Sequence, residues 1–269
     1  MGKPQPKAAW KARKRFGQHF LRDEAVLQAI VDAVHPGPDD LLLEIGPGNG
    51  ALTAYLDGAS RRYVAVELDR DLVPLLRTRF GGVEVIAADI LRVDLSDLFG
   101  SQTWRVVGNL PYNISTPLLV RMLAHLGSIR DMHFMLQREV ASRLSAAPRS
   151  KAWGRLSVLV QYHCEVEQLL DVAPESFDPP PRVWSSVVRL VPRVEKMPLV
   201  SEEAFERVIR NAFSQRRKRL SNALQSLGVD FDKAGVDPGQ RADELSVDQF
   251  VALANTLSGP GLSGDRENA

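Results

Sequence analysis

The segment Gly108-Asn109-Leu110-Pro111-Tyr112 brings together an amide side chain, a carbonyl next to a proline and an aromatic ring. Such a set could hold the exocyclic amine of an adenine. That amine is a poor nucleophile, because its lone pair is delocalised into the ring. Two acceptors on its N–H groups favour a pyramidal nitrogen whose lone pair can be aimed at an electrophilic carbon. The side-chain oxygen of Asn109 can be one acceptor, and the Leu110 carbonyl, held by Pro111, the other. A strong general base is not required, since the alkylated amine is acidic enough to lose its proton to water. In-line positioning supplies most of the acceleration, about 7–11 kcal/mol. Tyr112 is expected to stack on one face of an extruded base, and Phe177, ahead of Pro179-Pro180-Pro181, to cover the other. Each stack contributes ~1–3 kcal/mol, which offsets much of the cost of unstacking, a few kcal/mol.

A second constellation precedes it. Glu44-Ile45-Gly46-Pro47-Gly48-Asn49-Gly50 follows an apolar run, and Gly46 and Gly48 let the backbone turn tightly and approach a ligand. The spacing is G-x-G-x-G, not the G-x-G-x-x-G of dinucleotide sites, and no Lys-Ser/Thr follows as in a P-loop. Glu67 and Asp89 close the next two β-rich runs. There they can accept from ribose hydroxyls and from an adenine amine, respectively. A methionine sulfonium donor carries no phosphate, so the missing phosphate cradle is consistent with one.

These residues need a scaffold that brings loop ends together. Short β-rich runs at Leu41–Ile45, Tyr63–Val66, Val83–Ala87, Trp104–Val107 and Met132–Leu136 alternate with helical patterns, including Asp69–Phe80 and Pro117–Leu126. That alternation predicts an α/β fold with a parallel sheet covered by helices on both faces. Ligands bind such sheets at the carboxyl ends of the strands, where the glycine turn, Glu67 and Asp89 fall. After a helical run at Leu156–Tyr162, the runs Val166–Val172 and Val183–Leu190 have no helix between them. They predict an antiparallel pair that closes one edge and makes a mixed seven-stranded sheet. From Ser201 the signal is helical only, with Phe205, Val208, Ile209, Ala212 and Phe213 on one face. The expected organisation is a basic arm over residues 1–22, a catalytic domain over 23–192, a small all-α domain over 193–258 and a disordered tail over 259–269.

The chain has 269 residues, 44% hydrophobic and 25% charged, and a net charge of +1 that hides a strongly uneven distribution. Residues 1–22 hold Lys3, Lys7, Lys11, Arg13, Lys14, Arg15 and Arg22 with no acid. Arg216-Arg217-Lys218-Arg219 forms a second basic cluster, and Arg138, Arg143, Arg149, Lys151 and Arg155 a looser third. Local basic patches on a near-neutral chain are the footprint of phosphate-backbone binding. No apolar run approaches the ~20 residues that span a bilayer, and no apolar core follows the basic N-terminus as in a secretory signal. One cysteine, Cys164, excludes an internal disulfide and reads as a buried, inert thiol. A cytoplasmic protein with no membrane association is expected. Five histidines, His19, His35, His125, His133 and His163, show no metal-ligand spacing, so no metal is expected.

Taken together, the chain resembles the KsgA/RsmA type of small-subunit (16S) rRNA adenine N6-dimethyltransferase, relatives of the Erm methylases. The resemblance rests on Arg13-Lys14-Arg15-Phe16-Gly17-Gln18-His19-Phe20-Leu21, the Glu44–Gly50 turn, Glu67-Leu68-Asp69 and Gly108 to Pro117. It continues through His133 to Gln137, Gly154 to Val158, Phe177 to Val183 and Phe213 to Lys218, in family order over nearly the whole chain. It implies a class I, Rossmann-like methyltransferase fold and contacts to S-adenosylmethionine from His19, Leu21, Gly46, Glu67, Asp89 and Asn109, with S-adenosylhomocysteine as product. Position 19 is often Asn in this family and is His here. The implied substrate is a pair of adjacent adenosines in the 3′-terminal hairpin loop of small-subunit rRNA, each dimethylated within an assembling 30S particle by a monomer. Arg13, Lys14, Arg15, Arg216, Arg217 and Lys218 are then expected to contact RNA phosphates. Three alternatives stand beside this reading: an Erm-type methylase of large-subunit rRNA, a DNA adenine methyltransferase, and an assembly factor whose main contribution is binding. The Gln215-Arg216-Arg217-Lys218 pattern favours the small-subunit type over the first, and the Asn-Leu-Pro-Tyr turn disfavours the second.

Overall fold

A computed structural model describes residues 18–257. Arg13, Lys14, Arg15 and the tail from Gly259 lie outside the described residues, as does most of the basic arm.

Nine strands are formed among the described residues: β1 (Phe20–Leu21), β2 (Leu41–Ile45), β3 (Arg62–Glu67), β4 (Val83–Ala87), β5 (Trp104–Asn109), β6 (Ile129–Gln137), β7 (Cys164–Val172), β8 (Phe177–Asp178) and β9 (Ser185–Pro192). Seven of them make one sheet, in the order β4-β3-β2-β5-β6-β9-β7. β2, β3, β4, β5 and β6 run parallel to their neighbours, and β9 returns antiparallel to β6. All five residues of β2 are buried, as expected of a strand covered on both faces. The expected mixed seven-stranded sheet is therefore formed, with β9 and β7 neighbours at one edge. The two-residue strands β1 and β8, which short runs do not announce, pair separately, with Leu21 opposite Phe177.

Helices α1 (Glu24–Val34), α2 (Thr53–Leu56), α3 (Val73–Arg79), α4 (Leu95–Phe99) and α5 (Ser115–Leu123) connect the strands. α1 starts at Asp23, whose carboxylate accepts from the N–H groups of Ala25 and Val26 and from the Ser176 hydroxyl. At the amino ends of the strands, buried Arg105 donates twice to Asp131 (2.9 and 2.7 Å), and to Asp40 (3.1 Å) and the His35 carbonyl (3.0 Å). That network lies at the end of the sheet away from Gly46 and Asn109 and serves structure.

The chain divides into two compact units. The first comprises the residues to Ala141 together with Glu165–Pro192, and the second Ser142–Cys164 with the residues from Arg193. The chain leaves the first unit within α6 (Arg138–Leu144) and re-enters it along β7. Residues 142–164 thus fall in the helical unit, and the second division lies after residue 192. In that unit α7 (Arg155–His163) is joined by α8 (Glu202–Ser214), α9 (Leu220–Ala223), α10 (Phe231–Ala234) and α11 (Val247–Asn255). α8 buries the stripe Phe205, Val208, Ile209 and Ala212. The stripe needs partners on more than one side. Tyr162 of α7 meets Phe205 (ring centroids 4.9 Å apart), and Phe250 of α11 meets Phe213 (5.6 Å). Among the described residues, no helix is long and apolar enough to cross a membrane.

Candidate active site

A cleft of about 410 Å³ opens at the carboxyl ends of β2, β3, β4 and β5, entirely within the first unit. The volume falls in the range of small-molecule sites. Its floor is the turn after β2, where Gly46, Gly48 and Gly50 all have positive φ (67°, 58° and 78°). The Phe20 ring lies so close to Gly48 that a Cβ there would stand 3.0 Å from it, so the turn and β1 are packed together because residue 48 has no side chain. At the centre, β5 and β2 approach so tightly that a Cβ on Gly108 would be 2.6 Å from the Ile45 carbonyl oxygen. Only glycine lets the Asn109 segment start that deep in the sheet.

The sequence-predicted cofactor residues come together here: His19, Leu21, Gly46, Gly48, Glu67, Asp89 and Asn109 all line the cleft. Glu67, at the end of β3, accepts from the N–H of Gly48 (3.0 Å) on one oxygen and from the N–H of Asp69 (2.7 Å) on the other. The carboxylate is thus fixed in orientation, and each oxygen keeps a lone pair for a diol. Burial raises its pKa, against the lowering effect of those two amides. Asp89, at the end of β4, is oriented by the N–H of Leu91 (2.9 Å).

Asn109 ends β5, and its Nδ2 donates to the His19 carbonyl at 3.0 Å. A carbonyl can only accept, so this bond fixes the amide and leaves Oδ1 able to accept from a ligand. The Leu110 N–H donates to the Met135 carbonyl (3.1 Å), which anchors the backbone one peptide unit before the Leu110 carbonyl. The Pro111 carbonyl accepts from the N–H of Ile114 (3.1 Å) and from the buried Ser115 hydroxyl (3.2 Å), closing the turn into α5. The Tyr112 phenol shares a 2.8 Å hydrogen bond with Ser185, and burial holds its pKa above the ordinary value against that bond.

Two expected roles change. Phe177 does not reach the cleft: it is 1% exposed, pairs with Leu21 and belongs to the core that also holds Leu27, Ile30 and Val187. Its ring is used for packing and supports the wall behind Leu21, so it is a positioning residue rather than a stacking surface. Tyr112 does present a ring, but His19 already lies on it, with centroids 5.8 Å apart and planes 27° from parallel. That spacing does not admit a planar ligand between the rings, and it leaves the other face of Tyr112 without His19 on it. His19 Nδ1 in turn donates to the Pro179 carbonyl at 2.7 Å, which leaves its Nε2 as the free ring position.

Glu44 went unassigned among the contacts expected from the sequence, although an acid within Leu-Leu-Leu-Glu-Ile is itself a signal. It lines the cleft, is 2% exposed, and accepts from the hydroxyls of Thr53 and Tyr63, both at 2.6 Å and on the same oxygen. Burial pushes its pKa up to about 7 against those two bonds, and the nearby Glu67 charge adds to the rise. Three acids, Glu44, Glu67 and Asp89, line the cleft, and among the described residues no Lys or Arg does. His133, on the cleft wall, is driven down to about 4 by burial despite the nearby Asp131, and is neutral near pH 7. Such a cleft favours a cationic ligand with hydroxyls and disfavours a phosphate-bearing one. Among the described residues, no group of three or more His, Cys, Asp or Glu is placed to hold a metal ion.

Of the predicted RNA-contacting residues in the second unit, Arg217 and Lys218 are exposed. Arg216 is half-buried. It donates to the Ser150 (3.4 Å) and Lys151 (3.2 Å) carbonyls and lies 3.8 Å from Asp243, so much of its bonding capacity serves its own unit. Cys164 is fully buried, and burial pushes its thiol up to about 12, in line with the inert role expected.

Comparison with known proteins supplies the context for this geometry. Residues 9–258 match the family model described as ribosomal RNA adenine dimethylase. A ribosomal RNA small subunit methyltransferase A from Pseudomonas aeruginosa is 50% identical over 263 residues, covering 95% of this chain and 97% of that protein. One from Bordetella avium is 51% identical over 256 residues, covering 93% and 97%. Among solved structures, a dimethyladenosine transferase from Plasmodium falciparum shares the fold, with a TM-score of 0.74 at 23% identity, covering 87% of this chain and 96% of that one. The 23S rRNA methyltransferase ErmE aligns with a TM-score of 0.66 at 27% identity, covering 89% and 100%. The expected Rossmann-like methyltransferase fold is therefore present, and the chain belongs to the ribosomal RNA adenine dimethylase family.

Proposed function

We propose that this protein is an S-adenosylmethionine-dependent rRNA adenine N6-dimethyltransferase that acts on two adjacent adenosines in the 3′-terminal hairpin loop of small-subunit rRNA. The observation that carries the reading is the fixed amide of Asn109, whose free oxygen faces a cleft lined, among the described residues, by three acids and no Lys or Arg. Glu67 suits the ribose diol of the cofactor, Asp89 its adenine amine, and the acidic cleft its cationic methionine end. When bound, the cofactor supplies an electrophilic methyl group. The chain's own residues do the rest. Asn109 Oδ1 and the Leu110 carbonyl orient the target N6, the free face of Tyr112 supports the base, and Ser185 holds the phenol of that ring in place. The methylated nitrogen then loses its proton to water, so no side chain needs to serve as a strong base. The substrate class follows the small-subunit relatives, which are about half identical over almost the full length.

The proposed setting is an assembling small subunit in the cytoplasm, with the enzyme as a monomer and its exposed basic residues, Arg217 and Lys218 among them, on phosphates. The test is labelled methyl transfer to unmethylated small subunits with product mapping, alongside large subunits, duplex DNA and an Asn109→Ala enzyme. Dimethyladenosine confined to the small subunit, and reduced at least 100-fold in the variant, is expected; removing one preorganised hydrogen-bonding group costs a factor of ~10²–10³. No transfer to that particle, despite cofactor binding, would remove the substrate assignment. Subunits bound by Asn109→Ala without turnover would separate binding from catalysis.

A further inference from the structure

Of the four tryptophans, Trp104 and Trp153 are buried, Trp10 lies outside the described residues, and Trp184 is 46% exposed. Its neighbour Val183 is 45% exposed. An apolar pair left open on a loop has no stabilising role there, since burial of each side chain would be favourable. Its position explains the exposure. β9 runs antiparallel to β6, with Ser185 opposite Gln137, the last residue of β6. The residues just before β9 therefore stand at the carboxyl end of the parallel strands, the end at which Asn109 presents its amide. Ser185 holds the Tyr112 phenol, so Trp184 is one residue from the partner of the proposed base-supporting ring. The backbone there is fixed: the Trp184 carbonyl accepts from the N–H of Arg138 at 2.9 Å. Arg182, two residues before the indole, and Arg138, whose backbone N–H bonds the Trp184 carbonyl, are both exposed, with the Arg138 guanidinium 3.6 Å from Asp171.

An exposed indole on an anchored backbone, with exposed Arg182 two residues away and Arg138 bonded to its carbonyl, beside the site proposed to take a single extruded base, matches the platforms that bind single-stranded RNA. We infer that Trp184 stacks on a nucleotide adjacent to the target adenosine, while Arg182 and Arg138 meet the flanking phosphates. The inference rests on the RNA-methylating function proposed above. It adds a positioning residue that contacts neither the cofactor nor the reacting nitrogen. Stacking energies of one base on an aromatic ring correspond to about 5- to 150-fold in affinity.

The test pairs two measurements on the full-length protein. In the first, methyl transfer to unmethylated small subunits is compared for wild type, Trp184→Ala and Trp184→Phe. The alanine variant is expected to raise KM for the particle at least fivefold, with kcat and the S-adenosylmethionine dissociation constant within twofold, and the phenylalanine variant to recover most of the loss. In the second, a single-stranded RNA oligonucleotide of the hairpin-loop sequence is titrated while tryptophan emission is followed. Quenching present in wild type and absent in Trp184→Phe assigns the stack to this indole. Unchanged KM in Trp184→Ala with active wild type overturns the platform and leaves the function standing. Quenching lost in Trp184→Phe, without methyl transfer by wild type, overturns the function and retains an RNA-binding indole. Equal quenching in both proteins overturns the platform whatever the activity.

Discussion

Replacing Glu44 by Gln tests the acidic cleft through stability rather than turnover. The folded protein holds this carboxyl at about 7, against an ordinary value of 4.5, and burial is the main cause. The displacement is worth about 3 kcal/mol once the pH is well above 7. Its sign follows from the raised value: folding keeps a proton that the unfolded chain releases. The favourable difference is fully present below about pH 4.5 and is lost as the pH rises through 7. Gln can accept from the Thr53 and Tyr63 hydroxyls as Glu44 does, because both donate to one oxygen. It cannot ionise. Urea midpoints of wild type and Glu44→Gln at pH 5 to 9, without cofactor, should therefore diverge, the variant gaining about 2–3 kcal/mol on wild type between the two ends. Other titrating groups are common to both proteins and cancel in the difference, and the loss of coupling to Glu67 and Tyr63 acts in the same direction. Saturating S-adenosylmethionine should narrow the gap, because a cation in the cleft favours the ionised carboxylate. A difference independent of pH would refute the argument that the carboxyl is desolvated and protonated in the empty cleft.

Arg105→Ala should cost about 3–5 kcal/mol in a denaturant titration, because it leaves Asp131 buried without its two-pronged partner; a cost below about 1 kcal/mol would show that water reaches the site. Cys164 should not react with a thiol-specific disulfide reagent at pH 8 until urea unfolds the protein, and rapid native labelling would contradict its burial. Substituting Arg217 and Lys218 together by Ala should reduce the slope of log affinity for small-subunit RNA against log salt by roughly 1.4–1.8, about 0.7–0.9 for each phosphate no longer neutralised; an unchanged slope would place these side chains away from RNA.

The fold was legible because the parallel strands are built around short apolar runs. Leu-Leu-Leu-Glu-Ile has one polar residue in five, and that residue points to the ligand end. The parallel sheet followed from the strand–helix alternation, and the roles of the glycine turn and strand-end acids from the position of ligands in such sheets. Features that depend on long-range partners were not legible. Nothing local in Arg155–His163 shows that its Tyr162 belongs with Phe205, so the helix read as part of the catalytic domain. Phe177 stands next to prolines like a loop residue, yet its pairing with Leu21 carries it into the core. Arg216 sits in a run of four basic residues, and only the fold distinguishes it, by bringing the Ser150 and Lys151 carbonyls within reach.

The identity of residue 109 shows how one side chain joins two requirements. An aspartate there would keep an acceptor for the substrate amine, but it would have no N–H for the His19 carbonyl and would add a further acid to the three already in the cleft. Asparagine uses both ends: the amide nitrogen ties down the strand that begins at Phe20, and the oxygen remains for chemistry. That strand is held at three further points, by the pairing of β1 with β8, by the Phe20 ring against Gly48 and by the His19 bond to Pro179. The residues that precede it in the chain carry Arg13, Lys14 and Arg15. The reactive end of the sheet is thus joined to residues 19–21, which follow that basic segment in the chain, through a few backbone and side-chain contacts. A substitution that frees residues 19–21 should impair cofactor retention and base orientation together, and a loss confined to one of them would show that Asn109 holds its geometry without the strand.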